Sequence, residues 1–165
     1  MRRIDREMDA AFAYSVADKC EYAVLGMTLP DMTPYCIPLT IVREGGLIYF
    51  HSAMQGQKTD ALKKRPQVCL TCVGSTRIVQ EKFTTEYESA LLFGRAEEVL
   101  DRDEKIHALR LLCKRHTPDS LDTFDEAIRR SLHRTAVWKI HIEQVTGKRK
   151  QYDQNGMEMK CRRMK

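Results

Sequence analysis

The sequence predicts an α+β fold in which short antiparallel strands curl into a small barrel with helices at its periphery. Its 165 residues match the length of one domain, and 42% hydrophobic with 31% charged residues is a balance typical of globular proteins. Five or six strand patterns follow one another through short connections, while the helical patterns sit at the start and in one later block. Strands and helices alternate too irregularly for a doubly wound fold.

The first half of the chain combines one early helix with a group of strands. Helical spacing of apolar residues predicts the helix, with Asp5 or Asp9 as its N-cap. A turn at 43–46 contains two glycines, which favours a hairpin between the strands on either side. Pro66 stops a short second helix. The predicted elements are a helix at 5–19, strands at 22–29, 35–42 and 47–52, and a helix at 57–65.

The second half alternates a long strand pattern with an amphipathic helical block. Gly94 lies inside one strand and is expected to form a bulge or bend. No periodic apolar pattern occurs over 151–165, which predicts a mobile tail after a domain at 1–150. The predicted elements are strands at 67–73, 87–99 and 136–145, a polar loop at 74–84, and helices at 101–116 and 121–132.

The net charge of +5 belongs to the C-terminal end of the chain. Residues 148–165 hold seven basic and two acidic side chains, whereas 1–147 hold 21 of each. Nucleic-acid binding through this basic end is an alternative, but no aromatic side chains on which bases could stack accompany the charges.

No apolar run has membrane-spanning length and no secretion signal is visible. This favours the cytoplasm, where the six cysteines would be reduced thiols.

The stretch from Leu47 to Leu62 carries the chemistry. A strand ending in His51-Ser52 runs through a small turn into a helix that opens with Gln57-Lys58. The first turn of a helix has free N–H groups and a positive dipole end, so it attracts anions. With the Ser52 hydroxyl and the Lys58 charge, this corner forms a candidate phosphate site. The alternative is a plain strand end with a surface lysine.

Four blocks along the chain resemble one known family. They are the opening MRRIDRE, the segment PYCIPLTI with YFHSAMQGQK, the later YESALLFGRAEEV and the terminal VWKIHIEQVTGKRK. Together they resemble the pyridoxamine 5′-phosphate oxidase-like flavoproteins, and within them the Nim-type proteins of 5-nitroimidazole resistance. The resemblance covers about residues 1–150. It implies a homodimeric, six-stranded antiparallel split β-barrel with peripheral helices, in which FMN lies at the subunit interface.

The resemblance also implies roles for individual residues. Ser52 and Lys58 would bind the FMN phosphate with Gln57 beside them, and Ser89 would lie near the flavin. Trp138 could reach the flavin of the partner subunit, although a lone Trp in a strand is more often a core residue. The strand expected to run along the isoalloxazine ring carries Ile37, Pro38, Leu39 and Thr40.

The sequence departs from the oxidase itself at two of these positions. Ile37 and Gln57 stand where that enzyme has arginines, which weakens the phosphate contact and argues against oxidation of pyridoxamine phosphate. The resemblance therefore favours an FMN-dependent oxidoreductase that uses NAD(P)H to reduce nitro compounds or similar electron-poor acceptors. A non-catalytic flavin- or haem-binding protein on the same scaffold is the alternative, because a fold does not determine a function.

His51 is the candidate catalytic residue, because histidine titrates near neutral pH and could donate a proton or hydrogen bond to the acceptor. The alternative is that His51 only hydrogen-bonds the flavin or the backbone. The other four histidines are expected to be solvated.

Cys69 and Cys72 have a CxxC spacing, but no second pair accompanies them. Residues i and i+3 of a strand also face opposite sides, so no metal site is expected.

Overall fold

The computed structural model describes residues 3–161 as a mixed α+β fold with one large antiparallel sheet. The described part contains eight strands and four α-helices, with short 3₁₀ turns between them. The strands are β1 Glu7–Met8, β2 Ala23–Thr28, β3 Pro34–Leu39, β4 Val42–Glu44, β5 Leu47–Ala53, β6 Gln67–Val79, β7 Thr84–Glu98 and β8 Thr135–Lys150. The helices are α1 Ala10–Lys19, α2 Gln57–Lys64, α3 Arg102–His116 and α4 Phe124–Ser131.

The sheet has the strand order β3-β2-β6-β7-β8-β5-β4, and β1 pairs with β8. The two edge strands, β3 and β4, do not pair with each other, so the sheet is not closed. Only Thr40 and Ile41 separate them in the chain, and two residues span no more than about 10 Å between the flanking Cα atoms. The two edges must therefore approach each other. This agrees with a split barrel, but the strand count is eight and not the predicted six.

The core lies on the inner face of the curled sheet. Phe50 of β5 and Trp138 of β8 are register partners, and both side chains are buried there. Helix α1 packs Ala13 and Val16 into the same cluster. A second, smaller cluster lies on the other face of β5 and β8, where α3 covers them. Helix α3 is thus fixed against the outside of β5, the strand that carries His51.

The hairpin predicted around the 43–46 turn is confirmed only for its last three residue pairs, and the rest of the strand predicted at 35–42 pairs elsewhere. Residues 34–39 pair with β2, and only the three residues of β4 pair with β5. The chain leaves the first partner at Leu39 and reaches the second at Val42, so one predicted strand is two strands at opposite edges of the sheet. Hydrophobic patterning continues through both, and the change of partner leaves no mark in the sequence.

The predicted polar loop at 74–84 is wrong. Strand β6 continues to Val79, and β7 begins at Thr84, so the two form a long ribbon. Both faces of a two-stranded ribbon can meet water, so polar residues are tolerated, and an Arg77–Glu86 ion pair of 2.6 Å spans the strands. The register shift predicted at Gly94 is confirmed between Phe93 and Gly94.

The helix boundaries follow their capping residues. Helix α1 begins at Ala10 and not at residue 5, because the Asp9 carboxylate accepts a hydrogen bond from the Phe12 amide at 2.8 Å. Asp101 caps α3 in the same way. The helix predicted at 121–132 is shorter: a 3₁₀ turn over Pro118–Thr123 precedes α4. None of the helices in residues 3–161 is long and apolar enough to cross a membrane.

Residues 151–161 fold back toward the N-terminal residues. Tyr152 and Glu158 form an isolated antiparallel bridge, and Glu158 pairs with Arg6 at 2.6 Å. The Cys161 amide donates to the carbonyl oxygen of Asp5 at 3.0 Å. The mobility of the tail and the domain boundary at 150 stay predictions, and residues 162–165 of that tail lie outside the described residues.

Candidate functional site

The free strand edges of the open barrel define the candidate site. Strand β4 pairs only with residues 47–49 of β5, so the second half of β5, which ends at Ala53, has no strand on that side within residues 3–161. Strand β3 is the opposite edge of the sheet and, among residues 3–161, pairs only with β2. Edge strands present N–H and C=O groups that no neighbouring strand satisfies. A planar polar ligand can use them where the two edges approach.

The start of α2 forms an anion site at the end of β5. Gly56 takes a φ of 137°, which favours glycine, and no side chain caps the helix. The amide groups of the first turn therefore remain available, and the helix dipole adds a partial positive charge. Gln57 and Lys58 are the first two residues of this turn. The backbone alone makes this corner attractive to a phosphate.

Lys58 is a cation without an anion. Its side chain is half-buried, and its ammonium nitrogen lies 5.8 Å from the centroid of the Phe50 ring. Within residues 3–161 it forms no ion pair, whereas Lys63 on the same helix pairs with Glu98 at 3.2 Å. Burial lowers the pKa of Lys58. A partly desolvated charge without a counterion is the expected state of a residue that meets its partner on a ligand.

Ser52 and Gln57 lie at the same corner as Lys58. The Ser52 hydroxyl is half-buried and donates to the carbonyl oxygen of the next residue, Ala53, at 2.9 Å. A hydroxyl rotates freely, so it can turn from this local acceptor to a bound anion. Gln57 is exposed at the first position of α2. These three side chains are local in sequence, which is why their grouping could be predicted.

His51 points to the outer face of β5, where its register partner is Val137. The side chain is exposed, but the surrounding protein desolvates the ring and lowers the pKa of His51, and the charges of Lys58 and His116 lower that pKa further. This environment favours the neutral imidazole, which has one N–H donor and one acceptor nitrogen.

His116 is a site residue that the sequence did not reveal. Its Nε2 lies 2.8 Å from the carbonyl oxygen of Ile41, in the connection between the two edge strands, and it donates a hydrogen bond to that oxygen. Helix α3 is held in place by Glu104, which accepts hydrogen bonds from Tyr49 at 3.2 Å and from Lys139 at 3.1 Å. The prediction that His116 is only solvated is wrong, because the contact depends on tertiary packing.

The four residues predicted along the flavin ring divide between two faces. Ile37 and Leu39 are half-buried and pack against the core, whereas Pro38 is exposed on the outer face and Thr40 is exposed just beyond β3. Side chains alternate along a strand, so one ring surface can meet only part of this set. Ile37, Pro38 and Leu39 all lie on the free backbone edge of β3, and Thr40 lies just beyond it. Their contact with a flavin stays a prediction.

Ser89 and Trp138 lie on opposite faces of the sheet. Ser89 is half-buried on the outer face of β7, in a depression of about 470 Å³ lined also by Leu91, Phe93 and Lys148. Trp138 is 2% exposed in the core, and its indole N–H has no hydrogen-bond partner within residues 3–161. A flavin contact at either residue stays a prediction.

No group of three or more His, Cys, Asp or Glu side chains that could hold a metal occurs in residues 3–161. Cys72 is buried and Cys69 lies half-buried on the opposite face of β6, as the strand parity predicted. The CxxC spacing therefore does not form a joint site.

The family of the chain follows from a sequence match. A family model described as pyridoxamine 5′-phosphate oxidase matches residues 9–149, which include both strand edges and the α2 corner. The chain belongs to this family. The match ends one residue before the end of β8, and it confirms the resemblance predicted from the four sequence blocks. The sequence matches no curated protein.

Solved structures agree with this assignment. A protein of Bacteroides thetaiotaomicron described as a candidate 5-nitroimidazole antibiotic resistance protein is 28% identical, with a TM-score of 0.73 over 86% of this chain and 85% of the other. A flavocytochrome of Azotobacter vinelandii has 22% identity and a TM-score of 0.73 over 94% and 79%. An FAD- and haem-binding protein of Mycobacterium smegmatis has 17% identity and a TM-score of 0.71 over 88% and 73%. The last two likenesses show the fold.

Proposed function

We propose that this protein is an FMN-dependent oxidoreductase that uses NAD(P)H to reduce nitro compounds or similar electron-poor acceptors. The observation that carries the proposal is the half-buried Lys58 at the uncapped start of α2, which has no counterion among the described residues. A flavin mononucleotide has a terminal phosphate and a planar, polar ring, and the described site offers an anion corner beside free strand edges. Membership of the pyridoxamine 5′-phosphate oxidase family supports a flavin, and the Bacteroides protein supports a nitro acceptor.

Phosphate binding is assigned to the α2 corner. Lys58 supplies a full charge, Ser52 a hydroxyl donor, and the first turn of α2 its backbone N–H groups. Hydrogen bonds to a charged partner contribute about 1.5–3 kcal/mol each, roughly twice the value for neutral pairs. These donors offset the two arginines that the oxidase has and that Ile37 and Gln57 replace here.

The free edge of β3 is assigned to the flavin ring. Its unpaired backbone groups can satisfy the polar edge of the ring, and Pro38 offers an apolar contact on the outer face. His116 fixes the connection that follows β3 by donating to the Ile41 carbonyl, so α3 helps to hold the ring-binding strand in position. When bound, FMN supplies the electron transfer between the nicotinamide donor and the acceptor, and the protein binds it, orients it and excludes water.

His51 is assigned to the acceptor. Its neutral imidazole can donate one hydrogen bond to a nitro oxygen or a carbonyl oxygen on the acceptor. A phosphate bound at Lys58 adds negative charge near the ring, which opposes the effect of the lysine and raises the pKa of His51. Binding of the cofactor would thus bring His51 nearer to the range in which it can deliver a proton at neutral pH.

A second copy of the chain is assigned to the outer face of the sheet. Val73, Leu91 and Phe93 are 49%, 36% and 38% exposed there, beside the 470 Å³ depression that contains Ser89. Contiguous exposed apolar side chains on a sheet face are typical of protein–protein contacts. In a homodimer this surface would be covered, with the flavin at the interface.

Six free cysteines and a nicotinamide donor also fit the proposed cytoplasmic location.

The proposal is tested with the purified full-length protein. We expect an oxidised-flavin absorption spectrum after loading with FMN, bleaching by NADH or NADPH without oxygen, and recovery of the colour when a nitroaromatic compound is added. A dimer mass in solution is expected as well. A flavin spectrum that neither nicotinamide bleaches would instead indicate a binding protein. A haem spectrum together with no FMN binding would refute the cofactor assignment.

A further inference from the structure

Two buried cysteines lie close together in the core, between α1 and β6 and away from the α2 corner. Cys20 ends α1: its amide donates to the Val16 carbonyl at 2.9 Å, and its thiol donates to the Ala17 carbonyl at 3.3 Å. Cys72 lies on β6, where it is the register partner of Ala23, and it belongs to the same buried cluster as Cys20. The residues are 3% and 0% exposed. Val16, one turn before Cys20, packs against Gly74, two residues from Cys72 on the same face of β6, so the two thiols are neighbours in the core.

A guanidinium group makes this pair unequal. One terminal nitrogen of Arg115 donates to the carbonyl oxygens of Cys20 at 2.7 Å and Ala17 at 3.0 Å, and lies 3.9 Å from the sulfur of Cys20. The Cys72 thiol and the Arg115 charge lower the pKa of Cys20 to about 7, while the pKa of Cys72 is raised. Cys20 is the better nucleophile because the thiolate is the reactive form.

A cavity open to solvent reaches Cys20. It has a volume of about 420 Å³ and is lined by Cys20 together with Gly74 and Glu88. A molecule of the size of hydrogen peroxide fits easily in such a space. Burial of both residues keeps the thiols of other proteins from reaching them.

We propose that Cys20 and Cys72 form a peroxide-sensitive dithiol that closes to a disulfide between α1 and β6. The Cys20 thiolate attacks one oxygen of hydrogen peroxide, the O–O bond breaks, and hydroxide leaves as the sulfenic acid forms. Cys72 then attacks the Cys20 sulfur, the S–S bond forms, the S–O bond breaks and water leaves. Two thiols are oxidised by loss of two hydrogen atoms, and one peroxide is reduced to two water molecules.

The other facing pair of cysteines, Cys36 and Cys69, is separated by a whole strand. Each is the register partner of Gly26, on opposite sides of β2. Neighbouring strands lie about 4.8 Å apart, so the two Cα atoms are about 10 Å apart, beyond the roughly 7 Å that a disulfide can span. An internal disulfide is therefore expected at Cys20–Cys72 and not at Cys36–Cys69.

Peptide mapping after peroxide treatment of the full-length protein tests this assignment. Trypsin leaves Cys20 with Cys36 in one peptide and Cys69 with Cys72 in another, so wild-type tryptic peptides alone do not distinguish the pairs. The double variant Cys36→Ser/Cys69→Ser removes this ambiguity and keeps the proposed pair. We expect it to yield the two peptides linked, lighter by two hydrogen atoms, and released by a reducing agent.

Two further variants complete the design. Cys20→Ser in the same background should abolish the link, and Cys113→Ser, at a half-buried position on α3, should leave it unchanged. Circular dichroism shows whether each variant is folded. If Cys20→Ser does not fold, the double variant still shows whether Cys20 and Cys72 form a disulfide. No linked peptide in the folded double variant would overturn the proposal, as would a disulfide that joins Cys20 to Cys113 or Cys161 and not to Cys72.

Discussion

Replacing Lys58 by methionine tests the anion corner in the most quantitative way. The substitution removes the charge and keeps a straight apolar side chain that can still pack on Phe50. Loss of one charge-assisted hydrogen bond to the phosphate costs about 1.5–3 kcal/mol, which corresponds to a roughly 10- to 150-fold weaker FMN affinity. Because Lys58 is partly desolvated and has no counterion in residues 3–161, the apoprotein should be at least as stable as the wild type.

The assay is a pair of titrations followed by flavin fluorescence, one with FMN and one with riboflavin, which lacks the phosphate. The wild type should prefer FMN, and Lys58→Met should lose most of that preference while its riboflavin affinity stays the same. Lys63→Met is the matched control, since Lys63 lies on the same helix and is paired with Glu98. Equal losses for FMN and riboflavin, or an unchanged FMN affinity, would refute the reasoning.

Three more predictions concern turnover, pH and stability. His51→Ala should retain FMN but lose turnover by about 10²–10⁴-fold in steady-state assays; an unchanged kcat would exclude the catalytic role. Lys58→Met should raise the pKa of His51 in the apoprotein, because one positive charge no longer disfavours the imidazolium, and an NMR titration that shows no rise would contradict their proximity. Gly94→Ala should destabilise the fold by about 3 kcal/mol in urea unfolding, because its Cβ would overlap a carbonyl oxygen of β8. Gly46→Ala, in open space, should cost less than about 1 kcal/mol, and equal losses would contradict the bulge.

The sequence predicts the elements of this fold better than their pairing. The periodicity of α1, α3 and the main strands follows local rules, and Asp9, one of the two expected N-caps, caps α1. The change of partner between Leu39 and Val42 could not be predicted, because a strand looks the same whichever neighbour it pairs with. The ribbon at 74–84 was missed because its side chains are polar and its stability comes from pairing across strands.

In the candidate site, too, groupings that are local in sequence could be predicted and those that depend on tertiary packing could not. Ser52, Gln57 and Lys58 are adjacent in sequence, and a strand–turn–helix junction brings them together locally. The free edge of β5 beyond Tyr49 and the contact of His116 with Ile41 depend on how distant segments pack, so no local pattern indicates them. The proximity of Cys20 to Cys72 could not be predicted either, because it results from the packing of α1 against β6.

A crystal structure of the protein grown with FMN tests the central assignment most directly. The account predicts the phosphate at the start of α2, in contact with Lys58 and with Ser52, whose hydroxyl has turned away from the Ala53 carbonyl. The flavin ring should then lie along the free edge of β3, with His51 facing the space beside it. A phosphate bound elsewhere, with Lys58 still without a counterion, would contradict the account.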